Sequence, residues 1–520
     1  MPVARTHSIA LVGVEGHPVE IEVDIENGLP GLLLVGLPDT ALREARDRIR
    51  AAIINSGEHW PQHRVTVGLS PASLPKRGSG FDVGIAVAIL AAAGEVPAAA
   101  IDGVAFVGEL GLDGQLRPVR GMLPAVAGAA AAGFRQVAVA QANAAEAALV
   151  PGVRVLGAGT LRGLLGWFRG DPRSEARDPV EILEGGALPA QAVAAARPGG
   201  ARPDLADVLG QPTARRAAEI CAAGGHHLSL LGPPGAGKTM LAERIPTVLP
   251  RLDRAAALEV TSIHSVAGAL PAGRPLITDP PFCAPHHTAT KAAIVGGGSG
   301  VIHPGAASLA HRGCLFLDEA PEFGRDVLDA LRQPLESGEV MIARLGLTAR
   351  FPARFILVLA ANPCPCAKGP GPQAACSCTS AARRRYLARL SGPLLDRVDV
   401  KVEFLPVGRA ELLSDRKFAE SSAAVAVRVE EARQRAASRL KDTPWRLNAE
   451  IPGSELRRSF PPGPGALVPL ERAMDLGEIS ARGVHRVIRV SWTLADLAGV
   501  PRPTAGETSY ALSLWLGVGV

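Results

Sequence analysis

The segment Gly232–Thr239 constrains the fold of this chain more than any other part, because it reads Gly-Pro-Pro-Gly-Ala-Gly-Lys-Thr. This octapeptide fits the phosphate-binding pattern G-x-x-x-x-G-K-[ST], and an apolar run over 228–231 precedes it. Glycines let backbone N–H groups converge on phosphate oxygens, and a helix that starts at Thr239 adds its positive dipole end. The pattern predicts an ATP-binding loop between a strand and a helix. Its binding residues are Gly232, Pro233, Pro234, Gly235, Ala236, Gly237, Lys238 and Thr239.

Hydrolysis of ATP needs charge neutralisation, a metal ligand and a group that activates water. We expect Lys238 to neutralise phosphate charge and the hydroxyl of Thr239 to bind Mg²⁺. An apolar run leads into an acidic pair, in which Asp318 would hold Mg²⁺ and Glu319 would activate the attacking water. A further apolar run ends at Asn362, which is placed to contact the γ-phosphate or the water. The alternative for that residue is a turn at the end of a strand.

One arginine is a candidate for catalysis between subunits. Arg397 ends the segment Ser-Gly-Pro-Leu-Leu-Asp-Arg, just before a strand predicted over 399–405. It could serve a neighbouring subunit as an arginine finger, which stabilises the charge on the transferring phosphoryl group. A salt bridge with Asp396 or Asp399 is the alternative.

The periodicity of apolar residues divides the chain into two α/β units and a helical remainder. Apolar and acidic residues alternate over 19–26, which is typical of a strand with one wet face. Short strands and Ala-rich helices continue to about residue 167. A stretch rich in Pro, Gly, Ala and charge, without periodicity, predicts a linker. The predicted boundaries are 1–170 for the first unit, 171–204 for the linker, 205–406 for the second unit and 407–520 for the helical remainder, with helices over 421–441, 465–476 and 480–498.

Composition indicates a globular, multidomain chain of 520 residues with a formal net charge of +5. The charge is not concentrated in any segment, so it does not by itself indicate DNA binding. The longest apolar run, 83–94, is too short to span a bilayer, and the N-terminus lacks a secretory signal pattern. Seven cysteines, four of them crowded together, favour a reducing compartment. We therefore expect a cytoplasmic protein without membrane contact.

The crowded cysteines form the pattern C-x-C-x₉-C-x-C directly after Asn362. Cys364, Cys366, Cys376 and Cys378 could enclose a tetrahedral Zn²⁺ that staples the loop, or they could remain free thiols. The other three cysteines, Cys221, Cys283 and Cys314, have apolar or mixed neighbours and are expected to be structural.

The chain resembles a known family, the ComM (YifB) proteins, which are Mg-chelatase-like AAA+ ATPases. The segments that carry the resemblance are Phe316–Phe323, Ala361–Cys366 and Ser391–Arg397, together with Pro285-His-His-Thr288. The resemblance covers essentially the whole chain. It implies an α/β fold with three parts: an N-terminal α+β domain like that of Lon protease (ribosomal S5 domain 2-like), a P-loop AAA+ domain and a C-terminal helical lid.

The resemblance also implies a ring, usually a hexamer, with ATP at the subunit interfaces. Lys238, Thr239, Asp318, Glu319 and Asn362 would then act in their own subunit, and Arg397 in trans. Proteins of this family carry a sensor arginine in the lid, and Arg482 stands at the matching position. Arg486, one helical turn on, is the second choice, and plain helix-surface solvation is the alternative for both.

Two further elements are implied to line the pore of such a ring. The segment 338–354 is predicted to form a β-hairpin that offers Arg344, Arg350 and Arg354 to a phosphate backbone, unless it is an ordinary solvated hairpin. An insertion over 263–311 could line the same pore. His286 and His287 lie in it without an obvious carboxylate or cysteine partner, so we expect structural hydrogen bonds for both. Two positions of the insertion depart from the family pattern, with Cys283 in place of Arg and Ala306 in place of an acidic residue.

The function that the resemblance implies is an ATP-driven DNA helicase that promotes branch migration, with single-stranded or branched DNA as the partner. Two alternatives remain, a metal-chelatase motor subunit and an ATP-driven protein remodeller. Lon-like domains use a Ser–Lys dyad, but here Gly80 stands at the serine position, with Ser79 one residue off, and Leu123 at the lysine position. Lys76 is the one lysine nearby. We therefore expect a non-proteolytic scaffold.

Overall fold

The computed structural model describes residues 3–36, 39–76, 78–186, 203–298, 302–344, 347–366, 376, 378–390 and 392–517. Among these residues, no helix is both long enough and apolar enough to cross a membrane.

The first unit is built on a mixed sheet of eight strands, ordered β10-β9-β8-β5-β1-β2-β4-β3. The alternation predicted over 19–26 is confirmed, because Val19, Ile21 and Val23 are fully buried while the acidic residues between them face outward. Two short strands, β6 and β7, form a separate pair. The strands are β1 (Ala4–Val12), β2 (Glu15–Glu26), β3 (Gly31–Val35), β4 (Arg64–Ser70), β5 (Val104–Val107), β6 (Glu109–Leu110), β7 (Leu116–Arg117), β8 (Gln136–Ala140), β9 (Arg154–Ala158) and β10 (Val180–Glu184).

Helices cover this sheet. The second helix is apolar on every side, and all of its residues are buried, as expected for a helix at the centre of a core. The helices are α1 (Asp39–Asn55), α2 (Asp82–Ala92), α3 (Ala98–Ile101), α4 (Met122–Ala131), α5 (Gln141–Ala147), α6 (Leu161–Arg169) and α7 (Pro172–Arg177).

The segment predicted as a linker contains regular structure in its first part. Helix α7 lies there, capped by Asp171, whose carboxylate accepts the N–H of Arg173. Strand β10 follows and pairs antiparallel with β9, from Val180 opposite Ala158 to Glu184 opposite Arg154. A five-residue strand at a sheet edge has only a weak sequence pattern, because it is stabilised by the hydrogen bonds of its partner strand. The rest of the predicted linker, 187–202, lies outside the described residues, and the domain boundaries themselves stay a prediction.

The second unit is built on a five-stranded parallel sheet, ordered β12-β15-β18-β11-β19. Its central strands are buried on both faces, which explains their near-continuous apolar sequences. Two antiparallel pairs, β13 with β14 and β16 with β17, lie outside this sheet. The strands are β11 (Leu228–Leu231), β12 (Phe282–Cys283), β13 (Gly296–Gly297), β14 (His303–Pro304), β15 (Cys314–Leu317), β16 (Glu339–Arg344), β17 (Leu347–Pro352), β18 (Ile356–Ala361) and β19 (Val400–Glu403).

One helix precedes the first strand of this unit, and the others lie between its parallel strands. They are α8 (Pro212–Gly224), α9 (Lys238–Val248), α10 (Arg254–Ala267), α11 (Lys291–Val295), α12 (Ala306–Leu309), α13 (Arg325–Ala330), α14 (Arg332–Ser337), α15 (Ser380–Leu387) and α16 (Gly392–Leu395). The described residues after β19 are helical or irregular, which confirms the predicted helices. The helices are α17 (Arg409–Asp415), α18 (Ser422–Leu440), α19 (Gly453–Arg458), α20 (Val468–Asp475), α21 (Ala481–Ala498) and α22 (Ala505–Leu516).

The first unit packs against the hairpin of the second. Ala349 and Phe351 of β17 are buried in a small apolar cluster that includes Leu11 and Val14 of the first unit. Nearby, the buried carboxylate of Glu146 accepts the N–H of Leu123 at 2.8 Å and the hydroxyl proton of Ser265 on α10. The base of the hairpin is therefore held between the two units.

Candidate nucleotide-binding and hydrolysis site

The predicted phosphate-binding loop joins β11 to α9, which begins at Lys238, one residue earlier than expected. Gly235 and Gly237 have φ values of +77° and +97°, a backbone region that favours glycine. A Cβ atom on Gly232 would lie 2.5 Å from that of Phe404, so only glycine fits there. The loop lies at the carboxyl edge of the sheet, which is where α/β proteins bind ligands.

The ammonium group of Lys238 is enclosed by the loop. Its Nζ donates to the carbonyl oxygens of Gly232 at 2.6 Å and Pro233 at 2.9 Å, and to Asn362 Oδ1 at 3.1 Å. Burial lowers the pKa of Lys238, and the nearby carboxylates of Asp318 and Glu319 oppose this effect. The structure thus brings Asn362 directly to the lysine, because β18 lies next to β11 and both strands end at the same edge.

Thr239 and Asp318 place a hydroxyl oxygen and a carboxylate oxygen side by side. The Thr239 hydroxyl donates to Asp318 Oδ2 at 2.8 Å, and Asp318 Oδ1 accepts the N–H of Glu319 at 2.9 Å. Hydroxyl and carboxylate oxygens are the ligands that Mg²⁺ prefers, usually together with water and phosphate oxygens. The two side chains converge where a phosphate on the loop would lie, so they fit Mg²⁺.

Glu319 adopts a strained backbone conformation, with φ 50° and ψ 42°. A non-glycine residue in this region is uncommon and is often found at functional sites. Its side chain is 47% exposed, and its Oε2 lies 3.2 Å from His287 Nδ1. The expectation that His287 has no carboxylate partner is therefore wrong. Strand β12, which leads to His287, has only two residues, so the sequence does not show that it pairs with β15.

Arg397 and Arg482 lie at the opposite edge of the sheet. Arg397 precedes β19, whose Val400 pairs with Leu228 at the start of β11. The four-residue strand β11 is about 13 Å long, and this length separates the edge from the phosphate-binding loop. Arg482 is 67% exposed, and its Nη1 lies 3.8 Å from Asp396. Neither arginine joins the group formed by the loop and Asp318.

Arg397 has an acidic partner that the sequence did not indicate. Its guanidinium contacts the carboxylate of Glu336 and donates to the carbonyl of Pro393, rather than pairing with Asp396 or Asp399. Burial and the neighbouring arginines lower the pKa of Arg397.

Asp399 pairs instead with Arg486, the second choice for the sensor arginine. Arg486 Nη1 donates to Asp399 Oδ1 at 2.9 Å. Burial alone would raise the pKa of Asp399, but Arg486 and His226 outweigh it and hold that pKa well below its usual range. Arg486 is therefore committed to its own chain, whereas Arg482 is open to solvent.

The four crowded cysteines converge in space. The Sγ atom of Cys366 lies 3.0 Å from that of Cys364 and 3.5 Å from that of Cys376, and all four Sγ atoms lie within 4.8 Å of one another. Four sulfurs around a tetrahedral Zn²⁺ at 2.3 Å would be about 3.8 Å apart. Hydrogen bonds from the Cys378 backbone N–H and from the neighbouring thiols lower the pKa of Cys376 to about 6, whereas burial and hydrogen bonds with Cys366 and Cys376 raise the pKa of Cys364 to about 12. Without a metal, Cys376 is therefore the thiolate of the group. The donor set fits Zn²⁺.

The cysteines outside this group differ in character. Cys221 and Cys314 are fully buried, and burial raises the pKa of Cys283 to about 11. These thiols stay protonated near neutral pH, in agreement with the structural role expected for them.

The predicted hairpin is confirmed as β16 and β17, paired from Glu339 opposite Pro352 to Arg344 opposite Leu347. Arg350 is exposed, and Arg354 lies 3.5 Å from Glu450. The side chain of Arg344 lies outside the described residues.

In the first unit, Lys76 and Ser79, which lie near the expected serine position Gly80, have separate partners. Lys76 is buried, and its Nζ donates to the carbonyls of Pro71 and Leu74, the latter at 3.1 Å. Burial lowers its pKa. The hydroxyl of Ser79 donates to the carboxylate of Glu109.

Three protein families match this chain. The family described as "Magnesium chelatase, subunit ChlI" matches residues 204–412. "Subunit ChlI of Mg-chelatase" matches residues 21–143, and "Magnesium chelatase, subunit ChlI C-terminal" matches residues 419–514.

Relatives of full length are also found. An uncharacterized protein of Mycobacterium tuberculosis is 51% identical over 513 residues, which are 99% of this chain and 98% of the relative. YifB of Escherichia coli is 41% identical over 498 residues, and the competence protein ComM of Haemophilus influenzae is 42% identical over 502 residues. Each of these two matches covers 96% of this chain and 94% of the relative. The chain belongs to the ComM/YifB family of Mg-chelatase-like AAA+ proteins.

Proposed function

We propose that this protein is an ATP-hydrolysing motor that assembles as a ring, by analogy a hexamer, and acts on DNA as a branch-migration helicase. The observation that carries the proposal is the separation of the catalytic groups between two edges of one sheet. Lys238, Thr239, Asp318 and Asn362 meet at the carboxyl edge, whereas Arg397 and Arg482 lie at the amino edge. Such a chain completes its site only when the amino edge of a second copy faces the first.

The residues at the carboxyl edge have distinct tasks. Lys238 would exchange its loop carbonyls for phosphate oxygens, and Asn362 would hold the γ-phosphate or the water. Thr239 and Asp318 would hold Mg²⁺, which neutralises phosphate charge when bound. In the reaction, the water oxygen bonds to the γ-phosphorus while the bond to the β,γ-bridging oxygen breaks. ADP leaves with that electron pair, and Glu319 accepts the water proton.

The arginines at the amino edge would act on the neighbour's ATP. Arg397 would leave Glu336 and stabilise the charge of the transition state, an effect worth roughly 10³–10⁵ in rate in related systems. Arg482 suits the sensor role better than Arg486, because Arg486 is held by Asp399 whereas Arg482 is exposed.

DNA is proposed as the substrate on two grounds. One full-length relative bears the name competence protein. The hairpin also presents Arg350 to solvent, where it could follow a phosphate backbone without reading bases. We propose the cytoplasm as the place where this motor works.

The competing proposal is a metal-chelatase motor subunit, because all three matched families are described as magnesium chelatase subunits. DNA dependence of the ATPase separates the two. A DNA motor hydrolyses ATP several-fold faster with single-stranded or branched DNA, whereas a chelatase subunit shows no such stimulation.

The remaining parts receive supporting roles in this proposal. The Lon-like unit over 1–170 would be a non-proteolytic scaffold that holds the hairpin base, and 407–520 would be the lid. Cys364, Cys366, Cys376 and Cys378 would bind one structural Zn²⁺. One zinc per chain in protein prepared without added metal supports this site, and metal-free protein with four reactive thiols contradicts it.

A further inference from the structure

A cavity of about 680 Å³ lies at the amino edge of the five-stranded sheet, between the base of the hairpin and the helices that follow β19. Its volume is that of a small-molecule site. Seven of the residues that line it are arginines, and three are acidic. We infer that this arginine cavity binds a phosphate-bearing small molecule of nucleotide size. The inference goes beyond the proposed function, because such binding needs neither ATP hydrolysis nor DNA.

The charges around the arginine cavity do not balance. Five of the seven arginines have a carboxylate of this chain 2.9 to 3.8 Å away, such as Arg354 with Glu450 at 3.5 Å. The three acidic lining residues are each paired with an arginine as well. Among the residues that the structure describes, Arg433 and Arg489 have hydrogen bonds to backbone carbonyls but no carboxylate partner. The cavity therefore keeps two uncompensated positive charges.

These two guanidinium groups are held in place by the backbone. Arg433 on α18 donates through Nε and Nη2 to the carbonyl of Ala222 at 2.9 and 2.7 Å. Arg489 on α21 donates through Nε to the carbonyl of Ile451 at 2.7 Å. Both side chains are half-buried, and burial lowers the pKa of each to about 10, so both stay charged near neutral pH. Within the described part of the chain, Nη1 of both groups and Nη2 of Arg489 have no protein acceptor, so these nitrogens are available to an anion.

The chemistry of the lining residues favours a nucleotide. A planar guanidinium group matches the paired oxygens of a phosphate and binds them through two hydrogen bonds at once. Trp445 lines the same cavity, and its half-buried ring packs against the core of the second unit. An indole ring offers a face on which a nucleobase can stack. Two fixed guanidinium groups with an aromatic ring therefore suit a molecule that has both phosphate and a base.

The arginine cavity is separate from both parts of the proposed ATP site. The phosphate-binding loop lies at the other end of β11, about 13 Å along the strand. Arg397 and Arg482, which are assigned to a neighbour's ATP, both belong to the described residues and do not line the cavity. A ligand in the cavity would thus be a second phosphate-bearing molecule on each chain.

The cavity also contacts the base of the hairpin. Gly338 and Ala353, which flank β16 and β17, line it, and the N–H of Ala353 donates to the carbonyl of Gly338 at 2.8 Å. Arg312, another lining residue, has φ 62°, and its N–H donates to the carbonyl of Arg354 at 2.6 Å. A non-glycine residue in this strained region is often found at functional sites. A bound ligand would join the hairpin base to α18 and α21 and should raise the melting temperature.

Binding is tested in full-length Lys238→Ala, because this substitution removes the lysine of the phosphate-binding loop. Equilibrium dialysis with radiolabelled ADP should give one bound ADP per chain in this background. Adding Arg433→Gln or Arg489→Gln should weaken the binding by about tenfold or more, because each removes a charge-assisted contact to phosphate. Arg458→Ala, at an arginine of α19 that is 79% exposed, is the matched control and should bind ADP like its parent.

Inorganic pyrophosphate separates the phosphate contacts from the base contact. It should bind more weakly than ADP, and Arg489→Gln should weaken the binding of both. Trp445→Ala should weaken ADP binding by roughly tenfold and leave pyrophosphate binding within about twofold, because only ADP has a base to stack. Equal affinity for ADP and pyrophosphate would overturn the assignment of the ligand as a nucleotide.

Absence of ADP binding in Lys238→Ala would overturn the inference, and so would undiminished binding in both glutamine variants. If a glutamine variant melts early, Arg433→Lys or Arg489→Lys keeps the charge without the planar group and should lose affinity at an unchanged melting temperature. The two proposals can fail separately. A wild type that hydrolyses ATP while Lys238→Ala binds no ADP contradicts only the arginine cavity, whereas a wild type without ATPase activity contradicts only the proposed function.

Discussion

The hydroxyl of Thr239 donates a hydrogen bond to Asp318 at 2.8 Å, although 79 positions separate the two residues. The contact exists because β11 and β15 flank the same strand, β18, and end at the same edge of a parallel sheet. It places a hydroxyl and a carboxylate side by side next to the phosphate-binding loop, which is the arrangement that Mg²⁺–ATP requires.

Removal of either oxygen ligand should stop turnover without unfolding the protein. Asp318→Asn and Thr239→Ala are each expected to lower kcat by about 10²-fold or more, because the charge on the phosphates is no longer neutralised through these ligands. Thermal melting should change little, since neither residue supports the core. Steady-state phosphate release at saturating Mg²⁺ measures the effect. Wild-type turnover in both variants would show that the metal is held elsewhere.

The assignment of Arg397 to a neighbouring subunit predicts complementation. Lys238→Ala and Arg397→Ala should each be inactive alone, yet mixed rings should contain interfaces with an intact lysine on one side and an intact arginine on the other. Random mixing in equal amounts makes about a quarter of such head-to-tail interfaces complete. We expect ATPase activity of that order on mixing. A mixture as inactive as its parts would place both residues in one subunit's site.

The buried carboxylate between the two units predicts a pH effect on stability. Burial raises the pKa of Glu146, which bonds to Ser265 across the interface. Because the folded pKa lies above the unfolded one, its stabilising contribution is full below the unfolded pKa and is lost as the pH rises through the folded pKa.

Glu146→Gln should therefore melt at the wild-type temperature or above it at pH 8, and this advantage should shrink towards pH 5. Glu146→Ala, which leaves the N–H of Leu123 without its acceptor, should melt lower at both pH values. An advantage of the Gln variant that grows towards low pH would contradict the assignment.

The cysteine group predicts that zinc supports the position of Asn362. Cys364 lies two residues after Asn362, whose side chain contacts Lys238, so a loosened loop should misplace that amide. Cys376→Ser should lose zinc and lower kcat by roughly tenfold, as a displaced positioning group does. Cys221→Ser tests a buried thiol outside the group and should keep its zinc. Full zinc content in Cys376→Ser would exclude it as a ligand.

The sequence predicted which residues meet at the carboxyl edge, because they follow strongly apolar strands. Lys238, Thr239, Asp318 and Asn362 each end such a strand or its loop, and the structure brings them together. The sequence did not reveal the contact of His287 with Glu319 or that of Glu336 with Arg397. His287 follows a two-residue strand without a detectable pattern, and Glu336 lies at the end of a short helix, 61 positions from Arg397. Strand β10 was missed for a similar reason, because it exists through pairing with β9.

The central claim is that ATP hydrolysis moves this protein along DNA, and strand displacement from a synthetic four-way junction tests it most directly. The wild type with Mg²⁺ and ATP should convert the junction to duplex products. Lys238→Ala and Glu319→Gln should leave it intact, because the first loses phosphate binding and the second loses the base. A wild-type protein that hydrolyses ATP but leaves the junction intact would contradict the account.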